Sequence, residues 1–223
     1  MLEALKAEIC KLNCDLLKWG LAVWTSGNVS GIDRQENLVA IKPSGVAFDD
    51  LTPDKIAIVA LDGRQVEGPF KPSVDTASHL VVYRKMPEVG GVVHTHSNYA
   101  TAFAAAGRPI PPVLTAIADE FGGPIPVGAY CAIGEEEIGE EIVRTLGASG
   151  LSSGPRAILM KNHGVFTVGP TPEAALKAAV MVEDVAKTVY LAEQLSTGGL
   201  DEIPPEEVAR GHRRYMEKYG QGS

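Results

Sequence analysis

Short apolar runs alternate with segments of helical periodicity along this chain, and this alternation restricts its fold most. Helices are predicted at residues 2–18, 74–85, 99–106, 135–146 and 172–195, and in the first part of the segment 204–219. Strands are predicted at residues 38–41, 56–61, 90–93, 157–160 and 165–168, and Asp62-Gly63 is a hairpin turn signal. Interleaved helices and strands that include a hairpin predict an α/β sandwich with a central, largely antiparallel or mixed sheet.

Length and charge exclude several classes of protein. A chain of 223 residues with 45% hydrophobic and 22% charged content fits one domain, residues 1–223, better than two. The net charge of −8 leaves no basic stripe for a nucleic-acid backbone. The sequence contains neither a signal peptide nor an apolar run near the ~20 residues of a membrane span. We therefore expect a cytoplasmic protein without nucleic-acid or membrane partners.

Histidines are the candidate metal ligands. The apolar run at residues 90–93 leads directly into His94-Thr95-His96, and alternate residues of a strand point to the same face. His94 and His96 can therefore offer two imidazoles to one ion, although either ring could instead be a hydrogen-bonded core histidine. His163, in a tight turn between two apolar runs, would complete a three-histidine set. Asp75 could supply a fourth ligand or a base, or could cap the helix that follows it.

Two polar turns are candidates for anion binding. Thr25-Ser26-Gly27-Asn28 and Lys42-Pro43-Ser44-Gly45 combine glycines, hydroxyls, an amide and a lysine, which are the donors that suit a single phosphate. Each segment taken alone is only a turn. The chain has neither a GxGxxG segment nor a Walker loop, so the sequence gives no support for a nicotinamide or ATP mechanism.

Four dispersed motifs resemble the class II aldolase and adducin family, and within it they are most similar to the L-ribulose-5-phosphate 4-epimerases. Their order and spacing match as well, and the similarity runs from about residue 5 to the carboxyl end. The motifs are Thr25-Ser26-Gly27-Asn28-Val29-Ser30, Lys42-Pro43-Ser44-Gly45, Lys71-Pro72-Ser73-Val74-Asp75-Thr76 and His94-Thr95-His96-Ser97. The resemblance implies a three-layer α/β/α sandwich.

The resemblance also implies a ligand set. His94, His96 and His163 would bind zinc, and three histidines with a carboxylate such as Asp75 also accept Mn²⁺, Co²⁺ or Fe²⁺. The residues implied to hold or lie near the substrate phosphate are Gly27, Asn28, Lys42, Ser44, Gly45 and Ser73. Val74 stands where the family motif has a serine, which leaves its backbone N–H as the donor.

The acid and base residues come from the resemblance alone. It implies a homotetramer in which an aspartate and a tyrosine near the carboxyl end, the latter donated by an adjacent subunit, exchange protons with the substrate. By motif and spacing these resemble Asp119 and Tyr219, with Tyr215 as the competing tyrosine and a structural helix-end role as the alternative for Asp119. The segment 200–223 is expected to contact a neighbouring subunit.

The motifs and the family resemblance lead to three candidate functions, of which two are enzymatic and one is binding. The epimerase would convert L-ribulose 5-phosphate to D-xylulose 5-phosphate by retro-aldol cleavage and re-addition through a metal-bound enediolate. The alternative is a class II sugar-phosphate aldolase similar to L-fuculose-phosphate aldolase. Asp75 favours the epimerase, because the aldolases generally carry glutamate there, whereas Asn162-His163-Gly164 looks more like the aldolases. A non-enzymatic, adducin-like scaffold is disfavoured, because those domains lack the histidines.

Overall fold

The computed structural model describes residues 2–147, 150–151 and 154–218. The helices of this part are α1 (Glu3–Lys18), α2 (Thr76–Lys85), α3 (Asn98–Ala106), α4 (Thr115–Phe121), α5 (Glu137–Leu146), α6 (Pro172–Leu195) and α7 (Pro205–Lys218). The strands are β1 (Asn28–Asp33), β2 (Leu38–Ile41), β3 (Ala57–Ala60), β4 (Gln65–Glu67), β5 (Gly91–Thr95), β6 (Val127–Gly128), β7 (Ala157–Met160) and β8 (Gly164–Gly169).

The strands form one sheet in the order β4-β3-β2-β1-β5-β8-β7-β6. Every neighbouring pair is antiparallel except β6 and β7, which are parallel. The predicted hairpin joins β3 to β4, and the N–H of Gly63 in its turn donates to the carbonyl of Ala60 at 2.9 Å. The sheet is therefore mixed and largely antiparallel, as predicted.

Helices cover both faces of the sheet. Val92 packs with side chains of α2 and α5, whereas the next residue, Val93, packs with side chains of α1 and α6. Successive strand residues point to opposite faces, so β5 contributes to two separate cores. A third core joins α3, α4 and α6 to β7 and β8. This arrangement confirms the three-layer α/β/α sandwich.

Strand β1 was not predicted, because its sequence has no run of apolar residues. It nevertheless lies between β2 and β5, where the side chain of Asn13 on α1 donates to Val29 O and accepts from Val29 N. A Cβ at Gly31 would lie 2.7 Å from Pro172 Cγ and 2.9 Å from Ile9 Cδ1. The close approach of two helices, rather than hydrophobic periodicity, therefore decides the residues of this strand.

The start of β5 lies against the start of α6. A Cβ on Gly91 would come within 2.3 Å of Pro172 Cα, so only glycine allows this contact between the backbones. The contact fixes the strand that carries His94. No helix among the described residues combines the length and the apolar character needed to cross a bilayer.

Candidate metal centre

Two of the three histidines lie at the end of β5, one inside the strand and one directly after it. His94 is the fourth residue of this strand, paired with Asn28 of β1 on one side and with Phe166 of β8 on the other. His96 follows the strand directly and returns to the same side, so that its Nε2 lies 2.9 Å from Nε2 of His94. The predicted pairing of these two imidazoles is confirmed.

The third histidine is brought in by the turn between β7 and β8. Asn162 adopts a left-handed conformation with φ of 59°, and this turns the chain so that the ring centroid of His163 lies 4.8 Å from that of His94. A Cβ on Gly164 would lie 2.5 Å from Thr95 O and 2.7 Å from His96 Cδ2, so glycine is required beside the histidines. One ligand atom from each histidine lies within 4.8 Å of the others.

The ring of His94 is oriented for coordination. Its Nδ1 lies 2.9 Å from the carbonyl oxygen of Val165, which can only accept, so a neutral ring carries its proton on Nδ1. The ring of Phe166 stacks on it at a centroid distance of 4.2 Å. Nε2 is then left with a lone pair that faces His96. A backbone carbonyl that fixes the tautomer is the usual outer partner of a metal-bound histidine.

All three imidazoles are held in the neutral form that binds metals. Burial lowers the pKa of His94 far below its ordinary value, although the carboxylate of Asp75 acts in the opposite direction. Burial also lowers the pKa values of His96 and His163, and the neighbouring His96 adds to the effect on His163. At neutral pH each ring therefore keeps one N–H and has one lone pair to offer to a cation.

The donor set fits a divalent cation. Nδ1 of His163 is buried without a hydrogen-bond partner, and the two Nε2 atoms of His94 and His96 approach to 2.9 Å. Lone pairs at this distance repel unless a proton or a cation lies between them. A tetrahedral zinc ion with bonds of about 2.0–2.1 Å would separate its nitrogen ligands by about 3.3 Å, which a small shift of either ring allows.

Asp75 lies at the edge of this centre. It occupies the N-cap position of α2, but its side chain makes no capping hydrogen bond, so the prediction of a helix cap is wrong. The carboxylate is 6% exposed and accepts from Asn28 Nδ2 at 2.7 Å and from Ser73 Oγ at 3.2 Å. Burial raises its pKa, but His94, His79 and Asn28 outweigh this and lower it below the ordinary value. Its role as ligand or base stays a prediction.

A cavity of about 230 Å³ joins the histidines to the two polar turns. The predicted phosphate-site residues all line it, namely Gly27, Asn28, Lys42, Ser44, Gly45, Ser73 and Val74. Backbone hydrogen bonds between residues 42–44 and 71–73 hold two of these segments together. Sequence reasoning missed Ile133, which also lines the cavity and comes from a loop without any motif.

Lys42 gives this cavity a buried positive charge. Its side chain is 1% exposed, and Nζ makes long contacts of 3.3 and 3.4 Å to the carbonyl oxygens of Thr25 and Pro43. Among the described residues no carboxylate forms an ion pair with it. Burial lowers its pKa to about 8. A bound anion would replace the solvation that burial removes.

The predicted catalytic aspartate does not lie beside the histidines of the same chain. Asp119 lies on α4, 3.3 Å from Arg214 of α7, and lines a different cavity of about 320 Å³. Tyr219 lies outside the described residues. Tyr215 donates a hydrogen bond of 2.7 Å to the buried carboxylate of Glu120 and does not line the histidine cavity. The catalytic roles of Asp119 and Tyr219 stay predictions.

Comparison with protein families and curated proteins agrees with this geometry. Residues 7–190 match the family described as Class II Aldolase and Adducin N-terminal domain. The chain is 40% identical over 227 residues to L-ribulose-5-phosphate 4-epimerase UlaF of Salmonella paratyphi A, which covers 98% of this chain and 96% of that protein. The protein of the same name from Salmonella typhi matches equally well.

Solved structures extend the comparison to aldolases. An L-fuculose 1-phosphate aldolase superposes with a TM-score of 0.86 and 29% identity, over 95% of this chain and 96% of that one. The l-fuculose-1-phosphate aldolase from Thermus thermophilus superposes with a TM-score of 0.70 and 27% identity, over 88% and 98%.

Proposed function

Because the chain belongs to the class II aldolase and adducin family, we propose that it is a metal-dependent L-ribulose-5-phosphate 4-epimerase, which forms D-xylulose 5-phosphate. The observation that carries this proposal is a single cavity lined by three histidines and by a buried lysine among polar turns. Identity of 40% over nearly the whole length of a named epimerase supports the substrate. The cytoplasmic location expected from the sequence stays a prediction.

Inversion at C4 of a ribulose phosphate requires that a carbon–carbon bond break. The hydrogen on C4 is not acidic, because C4 is one carbon too far from the ketone at C2. Loss of the proton from the C4 hydroxyl, followed by cleavage of the C3–C4 bond, gives the enediolate of dihydroxyacetone and glycolaldehyde phosphate. The aldehyde then rotates and is attacked on its opposite face, and the new C4 oxygen regains a proton.

His94, His96 and His163 would hold the cation at the ketose end of the substrate, with Asp75 as the adjacent carboxylate. When bound, the cation supplies a Lewis acid for the oxygens that gain negative charge as the bond breaks. Zinc suits three histidines, and Mn²⁺, Co²⁺ or Fe²⁺ could replace it. Asp75 already accepts hydrogen bonds from Asn28 and Ser73, which fixes its carboxylate beside the cavity.

The polar turns would hold the other end of the substrate. Lys42 would pair with the phosphate, and the loop residues Gly27, Ser44 and Gly45 would surround it with backbone and hydroxyl donors. Val74 would donate through its backbone N–H. Retention of the phosphate lets the aldehyde fragment turn over without leaving, which separates an epimerase from an aldolase.

Proton transfer at the C4 oxygen would require a second copy of the chain. We assign it to Asp119 and Tyr219, one on each side of the aldehyde, within a homotetramer. This agrees with the position of Asp119 in the single chain, where it lies on α4 beside α7 and not in the histidine cavity. The segment 200–223 would carry Tyr219 to the neighbouring subunit.

An aldolase is the second candidate. The superposition on L-fuculose 1-phosphate aldolase, with a TM-score of 0.86, favours it. Both reactions share the cleavage step and the cation, so the histidines do not distinguish them. The two reactions differ in whether the aldehyde fragment is kept for re-addition or released.

The test is incubation of the zinc-loaded protein with L-ribulose 5-phosphate and, separately, with L-fuculose 1-phosphate. We expect D-xylulose 5-phosphate to accumulate from the first substrate, without release of free glycolaldehyde phosphate. Accumulation of a free aldehyde from the second substrate, with no epimer from the first, would replace the epimerase by the aldolase. Protein freed of metal by a chelator is the control and should be inactive with both.

A further inference from the structure

His96 lies outside the strand that fixes His94, so something else must hold its ring. β5 ends at Thr95, and α3 begins at Asn98. His96 therefore lies in the two-residue connection between these elements. A ligand on such a connection is only as rigid as the start of the next helix.

The start of α3 is held by a carboxylate from another helix. Glu183 of α6 accepts the backbone N–H of Tyr99 through Oε1 and that of Ala100 through Oε2, both at 3.0 Å. These are first-turn N–H groups, which have no partner inside their own helix. Ser97, at the N-cap position, makes no capping hydrogen bond with its side chain, and its Oγ is buried without a partner. Glu183 thus replaces the missing local cap.

The helix that carries Glu183 is itself anchored to the strands of the metal centre. Thr167 of β8 donates through its hydroxyl to the carbonyl of Ala175 at 2.7 Å, and the backbone of Gly91 of β5 lies against Pro172. Glu183 therefore connects α3 to the same rigid body that positions His94 and the turn of His163. His94, His163 and the β5–α3 connection that carries His96 are thus all attached to the same packed strands and helix.

The charge of Glu183 also suits its position. The N-terminus of a helix carries a partial positive charge of roughly half a unit. α3 begins two residues after His96, so an uncompensated N-terminus would disfavour a cation there. A carboxylate that accepts two of its N–H groups removes this unfavourable term.

We propose that Glu183 is a positioning residue of the metal centre, which holds the β5–α3 connection so that the ring of His96 meets those of His94 and His163. The inference rests on the proposed function only through the metal that the three histidines bind. Glu183 does not line the histidine cavity. It acts through the backbone of residues 99 and 100.

The test measures metal affinity and geometry directly, rather than turnover. The variant Glu183→Gln keeps the shape of the side chain, but its amide nitrogen cannot accept the second N–H. The matched control is Glu193→Gln on the same helix, whose carboxylate pairs with Arg108 just beyond the other end of α3. For both variants and the unaltered protein, the dissociation constant of Co²⁺ is measured by chelator competition, together with the visible spectrum of bound Co²⁺.

We expect Glu183→Gln to weaken Co²⁺ binding about tenfold, the low end of the effect of losing a direct partner of a metal ligand, because Glu183 acts on His96 through the backbone. Its Co²⁺ spectrum should shift, because one imidazole is displaced. Glu193→Gln should bind within about twofold of the unaltered protein, with an unchanged spectrum. Thermal unfolding of the metal-free proteins shows whether the two variants differ in general stability.

The outcomes of this experiment distinguish a failure of the proposed function from a failure of the proposed role of Glu183. If the unaltered protein binds no Co²⁺ at the histidines, the proposed function fails and the role of Glu183 fails with it. If the unaltered protein binds Co²⁺ and Glu183→Gln binds it equally well with the same spectrum, only the role of Glu183 is overturned. Should Glu183→Gln not fold, Glu183→Asp is measured instead, and unchanged affinity and spectrum would overturn the inference in the same way.

Discussion

The histidine cavity and the contact between α4 and α7 differ in what a single chain can complete. The cavity collects its residues from six separate segments of one chain, and its three imidazoles lie within ligand distance of one another. The α4–α7 contact carries Asp119, which faces Arg214 and a cavity of its own. We therefore expect that one subunit can bind the cation and the phosphate by itself, whereas proton transfer requires residues from two subunits.

The electrostatics of the two regions differ in the same way. In the cavity, burial keeps imidazoles neutral and lowers the pKa of Lys42 to about 8, so its groups lack the partners that a substrate would supply. At the contact between α4 and α7, the carboxylates of Asp119 and Glu120 already have partners within the chain. Glu120 accepts from Tyr215 at 2.7 Å and from Lys177 at 2.8 Å. The histidine cavity therefore has groups available to bind ligands, whereas the charged groups of the α4–α7 contact hold α7 against α4.

The largest expected effect is that of His163→Ala. It removes one of the three imidazoles of the site, so we expect stoichiometric zinc to be lost and activity to fall about a thousandfold or more. The control is His212→Gln, at a buried histidine of the α4–α7 region that bonds to the backbone of Asp119. Zinc content is measured by atomic absorption. Full zinc content in His163→Ala would show that the metal lies elsewhere.

Asp119→Asn is expected to lower kcat by about a hundredfold to a thousandfold, within the usual range for a lost acid or base. Its zinc content should not change. The sharper experiment is co-expression of Asp119→Asn with His163→Ala. If Asp119 serves a neighbouring cavity, random mixing restores roughly a quarter of normal activity, because one site in four receives both intact parts. No recovery in mixed oligomers would place Asp119 and the histidines in the same subunit's site, or leave Asp119 structural.

Lys42→Met is expected to raise KM for the sugar phosphate about tenfold to a hundredfold, since a charge-assisted contact to phosphate is lost. The control is Lys71→Met, an exposed lysine of the neighbouring segment that does not line the cavity. In the unaltered protein KM should be constant below pH 8 and should rise above it, because the free lysine, with its pKa lowered to about 8, loses the proton that a bound phosphate favours. A flat profile between pH 7 and 9.5 would exclude this contact.

The smallest expected effect is that of Tyr215→Phe. Loss of the hydroxyl removes the hydrogen bond to Glu120 and should lower the free energy of unfolding by about 1 kcal/mol. Activity should stay within about twofold, and Tyr130→Phe at an exposed site is the control. Denaturant unfolding and steady-state kinetics measure both effects. A loss of activity as large as that of Asp119→Asn would make Tyr215, rather than Tyr219, the catalytic tyrosine.

Local structure could be predicted from the sequence because its causes are local. The periodicity of α1, the hairpin at Gly63 and the long α6 each depend on neighbours within a few residues, and their predicted bounds agree with the structure to within about two residues. The candidate metal ligands and phosphate-site residues also came from short motifs. Their assignment to one site depended on resemblance to a family rather than on local patterns.

β1 and Asp75 show where local patterns fail. Ser30 and Gly31 look like a loop, but Gly31 is needed because α1 and α6 approach the strand closely there. Asp75 has the sequence context of a helix cap, yet its carboxylate accepts from Asn28 instead, because β1 brings that amide beside it. In both cases a contact from a distant segment outweighs the local preference.

The sequence by itself determined the helices other than α4, most of the strands and the kinds of side chain available for a cation and an anion, because these follow from composition and spacing along the chain. Only the tertiary structure decided that His163 meets His94 and His96, since this depends on the register in which Thr95 of β5 pairs with Val165 of β8. It also decided that Glu183 caps the helix after His96. Such contacts join residues far apart in sequence, and packing of the whole sheet selects them.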